Sequence, residues 1–203
     1  NVDFYQATQL ALDLCDEIGV WDRSEGLQGV WGQAIQDWLD ELLPEQEIVD
    51  LANQHELTVL VTQIPTFQKE KCYGFRDKQD LIECNMASVH IPWFLDGKLT
   101  TTFRGNQYID GSFWVEPELF LPARPNPPTL ILDHKMDPIL KDKNLLDAVG
   151  LVAPEGIWSL LEQGKTYAKT MDEQSNLFEI IPMKSEKQRQ ESPVELLRKF
   201  INS

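Results

Sequence analysis

Short β-rich runs alternate with helical patterns along this chain, and the alternation limits the folds open to it. Leu57-Thr-Val-Leu-Val-Thr62 is apolar in character and lies between segments with helical spacing. A run that is apolar on both faces is typical of a buried strand in a parallel sheet. Strands separated by helices indicate an α/β fold. We therefore expect a three-layer α/β fold with a mostly parallel sheet and helices on both faces.

Turn and cap residues divide the rest of the chain into expected elements. Asp77 can cap a helix, and Arg104-Gly-Asn106 suits the turn of a short hairpin. Residues 1–181 are expected to form one domain, followed by a polar linker and a terminal helix over 182–203. Helices are expected over 4–18, 27–42, 45–54, 77–86, 154–171 and 192–201, and strands over 57–62, 72–75, 100–103, 107–109, 129–132 and 178–181.

The charge of the chain excludes some partners. The net charge is −15, and residues 1–56 hold thirteen acidic residues against one base, Arg23. Because phosphate binding needs clustered lysine and arginine, we expect no nucleic-acid partner. No apolar run approaches the roughly 20 residues that span a bilayer. Three widely spaced cysteines indicate neither a zinc site nor a disulfide framework, which favours an intracellular location.

An acidic residue follows a short apolar strand near the middle of the chain. Asp110 ends the run Gln107-Tyr-Ile and is followed by Gly111. In open α/β sheets ligands bind at the carboxyl ends of strands, and a glycine allows the sharp turn that aims such a carboxylate into a cleft. Taken alone, an Asp-Gly pair is more often a plain turn.

Several motifs around Asp110 occur in the order found in one enzyme family. The chain resembles the patatin-like phospholipases, most closely the triacylglycerol-lipase and adiponutrin branch, over residues 45–114. The segments that carry the resemblance are Val59-Leu-Val-Thr62, Phe75-Arg-Asp-Lys-Gln-Asp-Leu-Ile82, Ala87-Ser-Val-His-Ile-Pro92 and Arg104-Gly-Asn-Gln-Tyr-Ile-Asp-Gly111.

The resemblance implies hydrolysis of glycerolipid acyl esters by a Ser–Asp dyad, without a metal or organic cofactor. Asp110 matches the dyad aspartate, and the motif residues that support it are Ser88, Pro92 and Gly111. A neutral serine hydroxyl is a weak nucleophile until a base takes its proton, so the dyad needs this carboxylate. The apolar Trp93 and Phe94 are the candidate substrate-binding residues, since lipid tails need an apolar trough. Peripheral contact with a membrane or lipid droplet is expected with such a substrate.

The serine nucleophile that the family's motifs require is missing from this sequence. The family's Gly-x-Ser-x-Gly elbow does not occur in these residues, and its nearest approach, Asp22-Arg-Ser24-Glu-Gly26, follows a helical pattern instead of a buried strand. The family's second glycine after the aspartate is also replaced, by Ser112. We expect the chain to be the carboxyl-terminal part of a longer hydrolase, truncated at its amino end and inactive alone. The alternative is a non-catalytic lipid-binding or interaction module.

Overall fold

The computed structural model describes residues 3–113, 119, 137, 141–142 and 149–175. The chain forms two compact units. One unit comprises Gln9–Glu116, and the other comprises Asn1–Thr8 together with Pro117–Ser203. The strands expected at 129–132 and 178–181, the linker and the terminal helix lie outside the described residues.

Helices of the described residues follow the apolar spacing closely. Gly19 ends the first helix in the left-handed conformation, with φ of 71°, which glycine adopts without strain. Asp77 caps the fourth helix as expected, because its carboxylate accepts the Asp80 N–H at 2.8 Å. None of the described helices is long and apolar enough to cross a membrane. The α-helices are α1 (Phe4–Ile18), α2 (Trp31–Leu42), α3 (Glu45–Gln54), α4 (Lys78–Ser88) and α5 (Pro154–Ser175), and a short 3₁₀-helix spans Val20–Asp22.

The strands of the described residues form one four-stranded sheet within the unit of residues 9–116. Its strand order is β2-β1-β4-β3, so β1 and β4 occupy the interior of the sheet. Short turns join β1 to β2 and β3 to β4, and the second of these is the hairpin that the sequence predicted. The strands are β1 (Val59–Ile64), β2 (Lys69–Cys72), β3 (Thr101–Phe103) and β4 (Asn106–Asp110).

The sequence predicted a mostly parallel sheet. That prediction is wrong, because every neighbouring pair of the described strands is antiparallel. The chain reverses over residues 65–68, and so short a connection can join only antiparallel strands. β2 therefore forms at Lys69–Cys72 and not at 72–75. β1 is apolar on both faces for another reason. It lies between β2 and β4 and packs against α4, so that Val61 is fully buried without any parallel neighbour.

A buried core forms between the sheet and α3 and α4. It includes Val49 from α3, Val61 from β1 and Ala87 from α4. Cys72 and Cys84 belong to the same cluster, and all three cysteines are buried and free. Apolar residues from helix and strand thus pack together along α4, which fixes the position of the loop that follows it.

One buried carboxylate holds the start of α4. Asp80 is 2% exposed. Arg104 donates to it through Nε at 3.0 Å and Nη2 at 2.6 Å. Arg76 donates through Nη2 at 2.7 Å, Nε at 3.2 Å and its backbone N–H at 3.1 Å. These hydrogen bonds, chiefly those from Arg104, hold the pKa of Asp80 well below its usual range although burial opposes the shift.

Candidate functional site

Three segments of the chain meet at the end of β4, where Asp110 lies. The Asp110 N–H donates to the carbonyl oxygen of His90 at 2.9 Å. Its own carbonyl oxygen accepts the Thr62 hydroxyl at 2.8 Å. The next N–H, that of Gly111, donates to the carbonyl oxygen of Ser88 at 3.2 Å. The backbone that carries the Asp110 carboxylate is therefore fixed by β1 and by the end of α4.

Gly111 has a packing role that no other residue could fill. A Cβ atom at this position would lie 1.9 Å from the carbonyl oxygen of Leu60. The Ser88 hydroxyl donates to that same oxygen at 2.8 Å. Ser88 and Gly111, which the family resemblance singled out, are thus brought together with Asp110 around one stretch of β1.

The Asp110 carboxylate is held mainly by its own turn. The side chain is half-buried, and the Ser112 N–H donates to Oδ1 at 2.6 Å. Asp110 forms no ion pair with any residue that the structure describes. The result is an oriented carboxylate at a strand end, partly open to solvent, which is the arrangement that a proton acceptor requires.

A cation that the sequence analysis overlooked lies beside this carboxylate. The Lys69 ammonium group donates to Thr62 Oγ1 at 2.7 Å, to the Gly111 carbonyl oxygen at 3.1 Å and to the Phe113 carbonyl oxygen. Burial lowers the pKa of Lys69, and the nearby negative charge of Asp110 opposes that shift. Lys69 faces Thr62 across the β1–β2 pair. The antiparallel hairpin brings the two residues together, so the parallel sheet expected from the sequence does not place Lys69 here.

The apolar residues proposed for substrate binding lie in the loop after α4. Trp93 is 58% exposed and has a φ of 67°. Phe94 is half-buried, and its carbonyl oxygen accepts the Gly29 N–H at 2.7 Å. Pro92 lies in the turn that begins at Ile91. The exposed Trp93 ring is available to an apolar partner, and the Phe94 carbonyl oxygen ties the loop to Gly29.

A polar cavity of about 330 Å³ is lined in part by His90, Asp96 and Lys98. The His90 ring is buried, with Nε2 3.3 Å from the Lys98 carbonyl oxygen and 4.0 Å from Asp96 Oδ1. Neither Asp110 nor Trp93 lines this cavity. Its other lining residues come from the turn before α2, from α2 and α4 and from the segment 95–102: Gly29, Gly32, Gln33, Gln36, Gln79, Ile82, Glu83, Met86, Leu95, Thr101 and Thr102.

Other site hypotheses can be placed in the same way. Ser24, the nearest approach to an elbow serine, lies in a turn and donates to Glu25 Oε2 at 2.7 Å. Among the described residues no group of three histidine, cysteine or acidic side chains could hold a metal ion. Comparison with known proteins gives no match: no family model, no curated protein and no solved structure is significantly similar to this chain.

Proposed function

We propose that this chain supplies the acidic member of a Ser–Asp dyad in a lipid acyl hydrolase, with Asp110 as the general base. The substrate class is a glycerolipid ester. The proposal starts from the order of motifs between Val59 and Gly111, which resembles that of the patatin-like phospholipases.

The observation that carries the proposal is the geometry of Asp110. Its backbone is fixed by His90 and Thr62, while its carboxylate is partly exposed and accepts a hydrogen bond from its own turn. Structural aspartates are usually paired when they are buried, as Asp80 is. A fixed backbone with a carboxylate outside any ion pair of the described residues is what a base near solvent requires.

The chemistry divides between this chain and a serine. Asp110 takes the proton from the serine hydroxyl as its oxygen bonds to the ester carbonyl carbon, and that proton then goes to the departing alcohol. Asp110 then accepts a proton from water as the water oxygen bonds to the carbonyl carbon of the acyl-serine ester, and that proton goes to the serine oxygen as the fatty acid leaves. The antiparallel sheet differs from the architecture that the resemblance implied, so the proposal relies on the motifs and on Asp110 and not on the fold.

The test is a matched pair of substitutions in the full-length product of the gene. Asp110→Asn keeps the size of the side chain and removes its basicity, so ester hydrolysis should fall by about 10²–10⁴-fold. Asp96→Asn is the control, because Asp96 is also a half-buried aspartate of this unit. Circular dichroism confirms folding of both variants. Full activity in Asp110→Asn, or an equal loss in Asp96→Asn, contradicts the proposed role.

A non-catalytic lipid-binding module is the second candidate, and two observations favour it. The Trp93 ring is exposed on a turn, where it could enter a lipid surface. No serine of this sequence lies in a Gly-x-Ser-x-Gly elbow, so these residues supply no nucleophile of their own. Binding of the chain to zwitterionic vesicles that is lost in Trp93→Ala, together with no hydrolysis by the full-length protein, would favour this candidate over the enzyme.

A further inference from the structure

Lys69 is the least expected part of the site, because its half-buried side chain donates to oxygens of the protein. An ammonium group has three N–H donors. Lys69 has three oxygen acceptors: Thr62 Oγ1, the Gly111 carbonyl and the Phe113 carbonyl. Each donor therefore has a protein partner, and none is left for a substrate.

All three acceptors of Lys69 either belong to the turn that carries Asp110 or are hydrogen-bonded to it. Two of them are carbonyl oxygens of that turn, at Gly111 and Phe113. The third is the Thr62 hydroxyl, which itself donates to the Asp110 carbonyl oxygen. Thr62 is fully buried, so the link from Lys69 to Asp110 runs through a dry environment in which hydrogen bonds are strengthened.

We propose that Lys69 is the positioning residue of this site: its ammonium group fixes the turn of residues 110–113 and keeps a positive charge beside the Asp110 carboxylate. The role in catalysis rests on the proposed function, whereas the role in holding the turn does not. Lys69 acts through Thr62 and the turn and touches no reacting atom.

The first test measures how firmly the turn is held. In Lys69→Met, amide hydrogen exchange at Gly111, whose N–H is bonded to the Ser88 carbonyl, should become about tenfold or more faster. Lys71→Met is the matched control, since Lys71 lies two residues along the same strand and is exposed. It removes the same charge, and exchange at Gly111 should stay unchanged. Equal exchange in the two variants overturns the proposal.

The second test uses a readout that a purely structural role would not change. The charge of Asp110 raises the pKa of Lys69, so the pKa of the Lys69 ammonium should fall further in Asp110→Asn, as measured by NMR titration of Nζ-labelled protein. Glu70→Gln is the control, because Glu70 is the next residue of β2 and its carboxylate accepts the Tyr108 hydroxyl instead. An unchanged Lys69 titration in Asp110→Asn refutes the electrostatic link. Because this variant retains Lys69, the test does not depend on whether Lys69→Met folds.

Neither measurement involves ester hydrolysis, so the two proposals fail separately. If both tests succeed and the full-length Asp110→Asn protein keeps its activity, the dyad is refuted and Lys69 still holds the turn. If hydrolysis depends on Asp110 but neither test succeeds, the dyad stands and Lys69 has no positioning role. In an active full-length protein, Lys69→Met should lower kcat by about tenfold with KM unchanged, because the turn that orients the base is no longer held.

Discussion

Removal of the buried Asp80 carboxylate should destabilise the unit of residues 9–116 more than any surface charge change. Asp80 is 2% exposed and accepts bonds from two guanidinium groups. The two arginines are not equivalent. The Arg76 side chain is 69% exposed, so solvent screens its pair with Asp80 and the pair contributes little to stability. The Arg104 side chain is 33% exposed and also donates to the Gly74 carbonyl oxygen.

The expected magnitudes follow from that difference. Asp80→Ala leaves Arg104 without its main partner, and breaking such a pair from one side costs about 3 kcal/mol. A loss of this size lowers Tm by about 10–15 °C in a unit of this length. Arg104→Met should cost about 2–3 kcal/mol because it leaves a buried carboxylate half-satisfied, whereas Arg76→Met should cost much less because solvent screens the Arg76 charge.

Chemical denaturation followed by circular dichroism at pH 7 measures all three variants. The pH dependence gives an independent check. Because the pKa of Asp80 is lower in the folded than in the unfolded chain, its stabilisation is present above the unfolded value of about 3.9 and is lost as pH falls through the folded value. The stability difference between wild type and Asp80→Ala should therefore shrink below about pH 4. Equal costs for Arg76→Met and Arg104→Met, or a neutral Asp80→Ala at pH 7, would refute this reasoning.

Two further substitutions test the backbone around the site. Gly111→Ala should destabilise the protein by several kcal/mol, because its Cβ would lie 1.9 Å from the Leu60 carbonyl oxygen. Gly164→Ala should stabilise it by about 0.5–1 kcal/mol, because Gly164 lies in α5 with open space around it. Thermal denaturation compares the two variants, and similar Tm values for both contradict the close approach at Gly111. Asp77→Ala should lower the free energy of unfolding by about 1 kcal/mol, because it removes the cap of α4. In urea denaturation the conservative control Asp77→Asn should retain most of the stability. An equal loss in the two variants would argue against a capping role.

Local features of the chain were predictable because their causes are local. The first and third helices occupy the predicted residues, and the second begins at Trp31 instead of Leu27, because residues 24–30 form turns with Gly29 at a positive φ. Asp77 caps α4, and the β3–β4 hairpin turns at Arg104 and Gly105. Apolar periodicity, capping residues and turn residues act within a few positions of the chain, so the sequence displays them directly.

The family resemblance singled out Asp110 with Ser88, Pro92 and Gly111 by motif order, but the sequence could not say what surrounds them. The direction of β1 relative to its neighbours depends on which strands pair, and an apolar interior strand looks the same in parallel and antiparallel sheets. The placement of Lys69 next to Thr62 and Asp110 follows from that pairing. Strand pairing and burial are long-range properties of the folded chain. For that reason the carboxylate could be read from the sequence, and its cation could be seen only in the tertiary structure.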